Sequence, residues 1–105
     1  MTFSELRNLR LFQTRSIATA SKDSKVTHAY LMECLSRFFS GDYGEICQED
    51  TDANNADLAA GEGHVLARYK AKYNLESDIY IESHFAKSVP GIDANNTMIM
   101  YCGER

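Results

Sequence analysis

Apolar side chains recur at steps of three and four residues between Val26 and Phe39, the spacing that places them on one side of an α-helix. They are Val26, Tyr30, Leu31, Cys34, Leu35 and Phe38. Asp23 or Ser24 can cap the first turn, and Gly41 can end the helix. Burying each large side chain is worth roughly 1.5–3 kcal/mol, so we expect this helix to supply the largest single share of the core.

Strand patterns dominate the second half of the chain. Apolar and polar residues alternate in His64–Lys70 and around Ile79 and Ile81 in Asp78–Phe85, and Ala71–Ser77 can join the two as a hairpin. If the turn centres near Asn74, residues whose numbers sum to about 148 face each other. Thr97–Cys102 is apolar throughout and suits a central strand. The apolar residues of Leu9–Ile17 indicate an opening strand.

A second, weaker helix is predicted at Asp52–Ala60, with Thr51 or Asp52 as its cap and Gly61 as its stop. Before it, Gly41–Glu45 has the composition of a turn. Farther on, Ser83–Asn96 holds the only proline and reads as a long loop.

The fold class follows from these elements. We expect a single compact α+β domain over residues 1–105. Its three- to four-stranded, mainly antiparallel sheet packs on one main helix and a second short helix. The composition, 44% hydrophobic and 25% charged, is ordinary for such a domain.

Cysteine usage and hydropathy predict the compartment. No apolar run approaches the roughly 18 residues of a membrane-spanning helix, and Met1–Leu11 lacks a signal-peptide core. Cys34, Cys47 and Cys102 are odd in number and have no paired spacing. We expect free thiols in a cytoplasmic protein that makes no membrane contact.

Charge is concentrated in one segment. No Lys or Arg lies between Arg37 and Arg68, whereas Gly41–Glu62 carries seven acids. They are Asp42, Glu45, Glu49, Asp50, Asp52, Asp57 and Glu62. The segment contributes −7 to a net charge of −4, so the other residues sum to +3. A localised field of this kind is one that a partner can recognise, but it would repel nucleic acid.

Two metal sites are conceivable from the residue types. Asp50, Asp52 and Asn54 match the first ligands of an EF-hand loop, but the required Gly and bidentate Glu are missing at their places. The predicted hairpin also brings His64 opposite His84, near Glu82. That set lacks tight ligand spacing, so we expect no metal and no cofactor.

No pattern in the sequence points to catalysis. Cys47 lies between Glu45 and Glu49, which oppose thiolate formation, and there is no nucleophile elbow or phosphate-binding glycine loop. Paired acids need an apolar wall to separate their pKa values, and the sequence shows none. We therefore expect a protein that is not an enzyme.

The order of several short motifs resembles a widespread group of small uncharacterised proteins from bacterial plasmids, phages and other mobile elements. The matching stretches are Leu11–Ile17, Gly41–Glu45, Glu49, Asp50, Asn54, Leu58, Gly61, Leu66–Tyr69, Asp78–Ile81 and Thr97–Tyr101. Tyr43 stands where that group has Trp, and Ser16 where it has Gly. The resemblance implies a compact α+β domain in a mobile-element setting.

Small acidic proteins of mobile elements resemble inhibitors of host defence, such as anti-CRISPR or anti-restriction proteins, whose carboxylates stand in for phosphates. On this resemblance we expect an inhibitor of a Cas effector or restriction enzyme. Its contact residues would be Asp42, Glu45, Glu49, Asp50, Asp52 and Asp57, with Tyr43 as an aromatic anchor. The alternative is an accessory module that self-associates through exposed sheet edges or joins an element-encoded complex, with Tyr80 and Tyr101 exposed. The sequence leaves the oligomeric state open.

Overall fold

The computed structural model describes residues 1–86 and 94–105. These residues contain four β-strands and four α-helices. In chain order they are α1 (Phe3–Arg7), β1 (Arg10–Gln13), α2 (Arg15–Lys22), α3 (Lys25–Phe38), α4 (Gln48–Ala60), β2 (Glu62–Tyr69), β3 (Ile79–Ala86) and β4 (Asn96–Tyr101). A short 3-10 turn, Cys102–Glu104, follows β4. The α+β class is confirmed.

The strands form one sheet in the order β1-β4-β3-β2. β3 is antiparallel to both β2 and β4, whereas β1 runs parallel to β4, which makes the sheet mixed. The inner place of the last strand agrees with its apolar sequence. The expected opening strand is shorter than predicted because the hydroxyl of Thr14 accepts from Ile17 N–H and starts α2.

The main helix, α3, starts and buries its apolar side almost as predicted. The Ser24 hydroxyl caps it by accepting from Thr27 N–H, and Gly41 follows its last turn at φ +85°. Val26 is 54% exposed, contrary to its predicted place on the apolar side. Buried Thr27 takes that place, because its hydroxyl donates to the side-chain oxygen of Asn74 and shares a second hydrogen bond with the Ser24 hydroxyl.

The core lies between α3 and one face of the sheet. The strands contribute alternate residues to it, as a half-covered sheet requires. Its fully buried members include Leu31, Phe38, Val65, Ala67, Ile79, Ile81 and Ile99. Cys34 lies among them, and its burial raises the pKa of the thiol, as is typical of a structural cysteine. Cys34, Cys47 and Cys102 are all free.

The predicted hairpin register is confirmed, since His64 pairs with His84 and every β2–β3 pair sums to 148. The second helix is longer than predicted. It begins at Gln48, and neither Thr51 nor Asp52 is its cap; Cys47 holds that position without a side-chain bond. Gly61 ends it at φ +73°, as expected. Asp50, Asp52 and Asn54 therefore lie in a continuous helix, not in an EF-hand loop.

The sequence prediction missed α1, and it assigned to a loop residues that belong to strands. α1 has no counterpart in the sequence prediction; a Thr2–Glu5 capping box starts it, and Leu6 anchors it in the core. Of the predicted Ser83–Asn96 loop, the first residues extend β3 and Asn96 opens β4, while 87–93 lie outside the described residues. No helix in the described part of the chain is long and apolar enough to cross a membrane.

Phe38 is fully buried where α3 meets the sheet, so Phe38→Ala should lower the free energy of unfolding by about 3–5 kcal/mol. Urea unfolding followed by circular dichroism measures the change. Val26→Ala, on the exposed side of the same helix, is the control and should stay within about 0.5 kcal/mol of the parent. Equal effects in the two variants would contradict this placement of the core.

Candidate functional site on the acidic segment

The first acid of the segment, Asp42, holds the turn between α3 and α4. Its carboxylate accepts from Arg37 Nε at 2.7 Å and Nη2 at 3.2 Å, and from Gly44 N–H at 3.1 Å. The hydrogen bonds from Arg37, helped by Gly44, keep the pKa of Asp42 below its ordinary value. Asp42 is exposed, but its carboxylate is already bonded to Arg37 and Gly44 of the same turn.

Tyr43 does not offer an exposed ring. It is 4% exposed, its ring packs edge-on against Phe38 with centroids 6.3 Å apart, and its hydroxyl donates to Asn55 Oδ1 at 3.2 Å. Burial raises the pKa of the phenol. The expectation of a surface aromatic anchor is corrected, because the apolar ring belongs to the core.

Gly44 lets the same turn approach the outer edge of β2. Glu45 N–H donates to Arg68 C=O at 2.7 Å, and Arg68 N–H donates to Tyr43 C=O at 3.1 Å. A Cβ on Gly44 would lie 2.1 Å from that Arg68 oxygen, and the residue has φ +71°. Only glycine fits here without displacing the backbone.

Helix α4 covers the next residues of the same edge. The Asn54 side chain donates to Leu66 C=O at 2.8 Å and accepts from Leu66 N–H at 3.0 Å, as a neighbouring strand would. One turn later, Asp57 accepts from His64 N–H at 3.1 Å. A Cβ on Gly63 would lie 2.3 Å from the same Asp57 oxygen. Asn54 was not among the predicted site residues. Its spacing of three from Asp57 indicates that both side chains lie on the same side of a helix, and this could have been read from the sequence.

The remaining acids face solvent. Glu49, Asp50 and Asp52 are exposed on the first turns of α4, and Glu45 is exposed just before it. Glu45 approaches Lys70 at 4.0 Å, and Asp52 accepts from Gln48 at 2.8 Å. Within residues 1–86 and 94–105, no base pairs with Glu49, Asp50 or Asp52. We call Glu45, Glu49, Asp50 and Asp52 the acidic surface.

A buried carboxylate lies nearby on the sheet face that the helices leave uncovered. Glu82 is 4% exposed; Arg105 donates to its Oε2 from Nε at 3.1 Å and Nη2 at 2.8 Å, and His84 Nε2 lies 3.1 Å from its Oε1. Burial alone would raise the pKa of Glu82, but the bonds from Arg105 and His84 outweigh it and lower the pKa.

The hairpin brings the rings of His64 and His84 together, with centroids 5.8 Å apart. Both carboxylate oxygens of Glu82 are already hydrogen-bonded, one to Arg105 and the other to His84. In the strand pairing Glu82 lies opposite Leu66, not opposite His64. Among the described residues, no three His, Cys, Asp or Glu side chains are placed to hold a metal.

Comparisons with protein-family models, with curated proteins and with solved structures found no match for this chain. The resemblance to mobile-element proteins stays a prediction.

Asn54→Ala should lower the free energy of unfolding by about 2–4 kcal/mol, because it leaves the N–H and C=O of Leu66 unpaired at the sheet edge. Denaturant unfolding gives the loss, and hydrogen exchange should show faster exchange at the Leu66 amide. Asn55→Ala, which removes only the partner of the Tyr43 hydroxyl, should cost about 0.5–1.5 kcal/mol. An unchanged Leu66 exchange rate in Asn54→Ala would contradict this role.

The lowered pKa of Glu82 gives stability a pH dependence. Ionised Glu82 favours the folded state, so its share of stability is present above its ordinary pKa of about 4.3 and is lost as the pH falls through the folded value. Glu82→Gln should be less stable than the parent at pH 7, and the gap should narrow toward about pH 3.

Urea unfolding from pH 7 down to about pH 3 measures that gap. Exposed Glu49→Gln is the control and should stay within about 0.5 kcal/mol of the parent. A gap for Glu82→Gln that does not change with pH would contradict the assignment.

Proposed function

We propose that this protein is a non-enzymatic inhibitor that docks its acidic surface on the nucleic-acid-binding groove of a host defence nuclease, such as a Cas effector or restriction enzyme. One observation carries the proposal. Glu45, Glu49, Asp50 and Asp52 are exposed together at the start of α4, and among the described residues no base forms an ion pair with the three on the helix.

A nuclease groove is lined with Lys and Arg that neutralise phosphates. Carboxylates held on a helix can form ion pairs with those Lys and Arg side chains in place of the phosphates of a nucleic acid backbone. α4 is held in position by the bonds of Asn54 and Asp57 to β2, so little conformational entropy is lost when the acids meet a partner. Opposite charges steer the encounter, so association should be fast and weakened by salt.

Fewer residues contact the partner directly than the sequence predicted. Asp42, Tyr43 and Asp57 support the contact without making it. Their hydrogen bonds fix the turn and the helix that carry the exposed acids. A cytoplasmic location belongs to the same proposal, since a defence nuclease acts there.

The partner can be sought by affinity capture from a lysate of bacteria that carry Cas effectors and restriction enzymes. A captured nuclease is then purified and assayed for cleavage of its DNA substrate with increasing amounts of this protein. Inhibition that weakens as salt rises from about 50 to 300 mM supports the acidic contact. Capture of no nuclease under low-salt conditions would count against the proposal.

Reversing charge on the acidic surface should abolish inhibition. The variant is Asp50→Lys with Asp52→Lys, which changes the net charge by +4 and places two cations against the basic groove. The matched control is Glu33→Lys with Glu76→Lys, which makes the same change at exposed acids elsewhere. We expect at least a hundredfold rise in the inhibitory concentration for the first pair and less than threefold for the second. Unchanged inhibition by folded Asp50→Lys/Asp52→Lys would exclude this surface.

A further inference from the structure

The outer edge of β1 carries unused hydrogen-bonding groups. Thr14 N–H donates to Ile99 C=O at 3.0 Å, and backbone groups of successive strand residues point to opposite sides. The N–H and C=O of Leu11 and Gln13 therefore point away from β4. Within residues 1–86 and 94–105, no hydrogen bond uses these four groups.

The two edges of the sheet differ in this respect. Along β2, backbone groups of His64, Leu66 and Arg68 are bonded by α4 and by the preceding turn. Along β1, no described element lies in a position to do the same. An unpaired edge is a template for another strand.

Apolar surface accompanies this open edge. Leu11 is 47% exposed and Met32 is 42% exposed. Together with His28 they line a cavity of about 210 Å³ between β1 and α3. Val26, the other exposed large apolar residue of α3, does not line it. A strand added to β1 would cover Leu11 and close the cavity.

We propose that β1 pairs antiparallel with β1 of a second copy across a two-fold axis, which joins two four-stranded sheets into one. In the register that uses all four outward groups, Phe12 faces Phe12, Leu11 faces Gln13 and Arg10 faces Thr14. Each Leu11–Gln13 pair then exchanges two backbone hydrogen bonds.

The strand suits a copy of itself. Arg10 faces the neutral Thr14, so no like charges are opposed. The two Phe12 rings meet on the uncovered sheet face as a cross-strand aromatic pair. On the opposite face, Leu11 and Met32 of both copies converge. A contact built on four-residue strands lies at the small end of stable interfaces, so association should be micromolar.

Sedimentation equilibrium of the full chain from about 1 to 500 µM tests the pairing. A monomer–dimer equilibrium is expected, with protection of the Leu11 and Gln13 amides from hydrogen exchange at the upper concentrations only. Leu11→Lys should weaken dimerisation at least tenfold. The matched control Val26→Lys makes the same charge change at a site of similar exposure and should alter the dissociation constant less than twofold. Gln13→Pro, which removes one outward N–H, should also weaken it.

Circular dichroism confirms that each variant is folded. A strict monomer up to the highest concentration would overturn the proposal and leave the edge to a strand of another protein. A dimer that Leu11→Lys and Gln13→Pro leave intact would overturn it as well, because association would then use a different surface.

Discussion

The pair of hydrogen bonds between the Asn54 amide and the backbone of Leu66 is the contact on which the acidic end of the molecule depends. A side-chain amide carries one donor and one acceptor, so it can complete a strand edge as a backbone peptide does. This contact orients α4 along β2. Once α4 lies there, Asp57 accepts from His64 N–H, and Glu49, Asp50 and Asp52 on the first turns of the helix are exposed.

The acidic segment therefore has two roles that its net charge does not distinguish. Asp42 and Asp57 accept hydrogen bonds from Arg37, Gly44 and His64 and belong to the scaffold. The acids on the first turns of α4 make few contacts and remain available. Two glycines make this arrangement possible. A Cβ on Gly44 would collide with Arg68 C=O at the edge of β2, and a Cβ on Gly63 would collide with the Asp57 carboxylate. In this chain the Gly-Asp-Tyr-Gly-Glu motif, on which the resemblance depends, therefore has mainly a structural role: its backbone hydrogen-bonds to the edge of β2.

Periodicity in the sequence was enough to predict α3, the α+β class and the β2–β3 register, because the burial of alternate side chains fixes these features. It could not place the start of α4, whose sequence has only one large apolar residue, Leu58; tertiary bonds from Asn54 and Asp57 decide that helix. The buried position of Tyr43 was equally hidden, since a tyrosine in a glycine-rich turn looks the same whether its ring faces the core or the solvent. The exposed acids could be predicted from the charge of the segment. That Asp42 and Asp57 play a structural role instead is visible only from their hydrogen bonds in the folded protein.

The two sheet edges also bear on how the acidic surface could act. α4 lies beside β2, at the opposite end of the strand order from β1. Pairing through β1 would leave both acidic surfaces unobstructed and hold them apart by at least seven strand spacings, about 34 Å at about 4.8 Å each. Two acidic surfaces at that fixed separation could engage two basic grooves, or two parts of one long groove. The second contact would then gain from effective concentration rather than from any new interaction. Dimerisation and inhibition are therefore separable, since loss of the dimer should reduce avidity but leave the single-site contact intact.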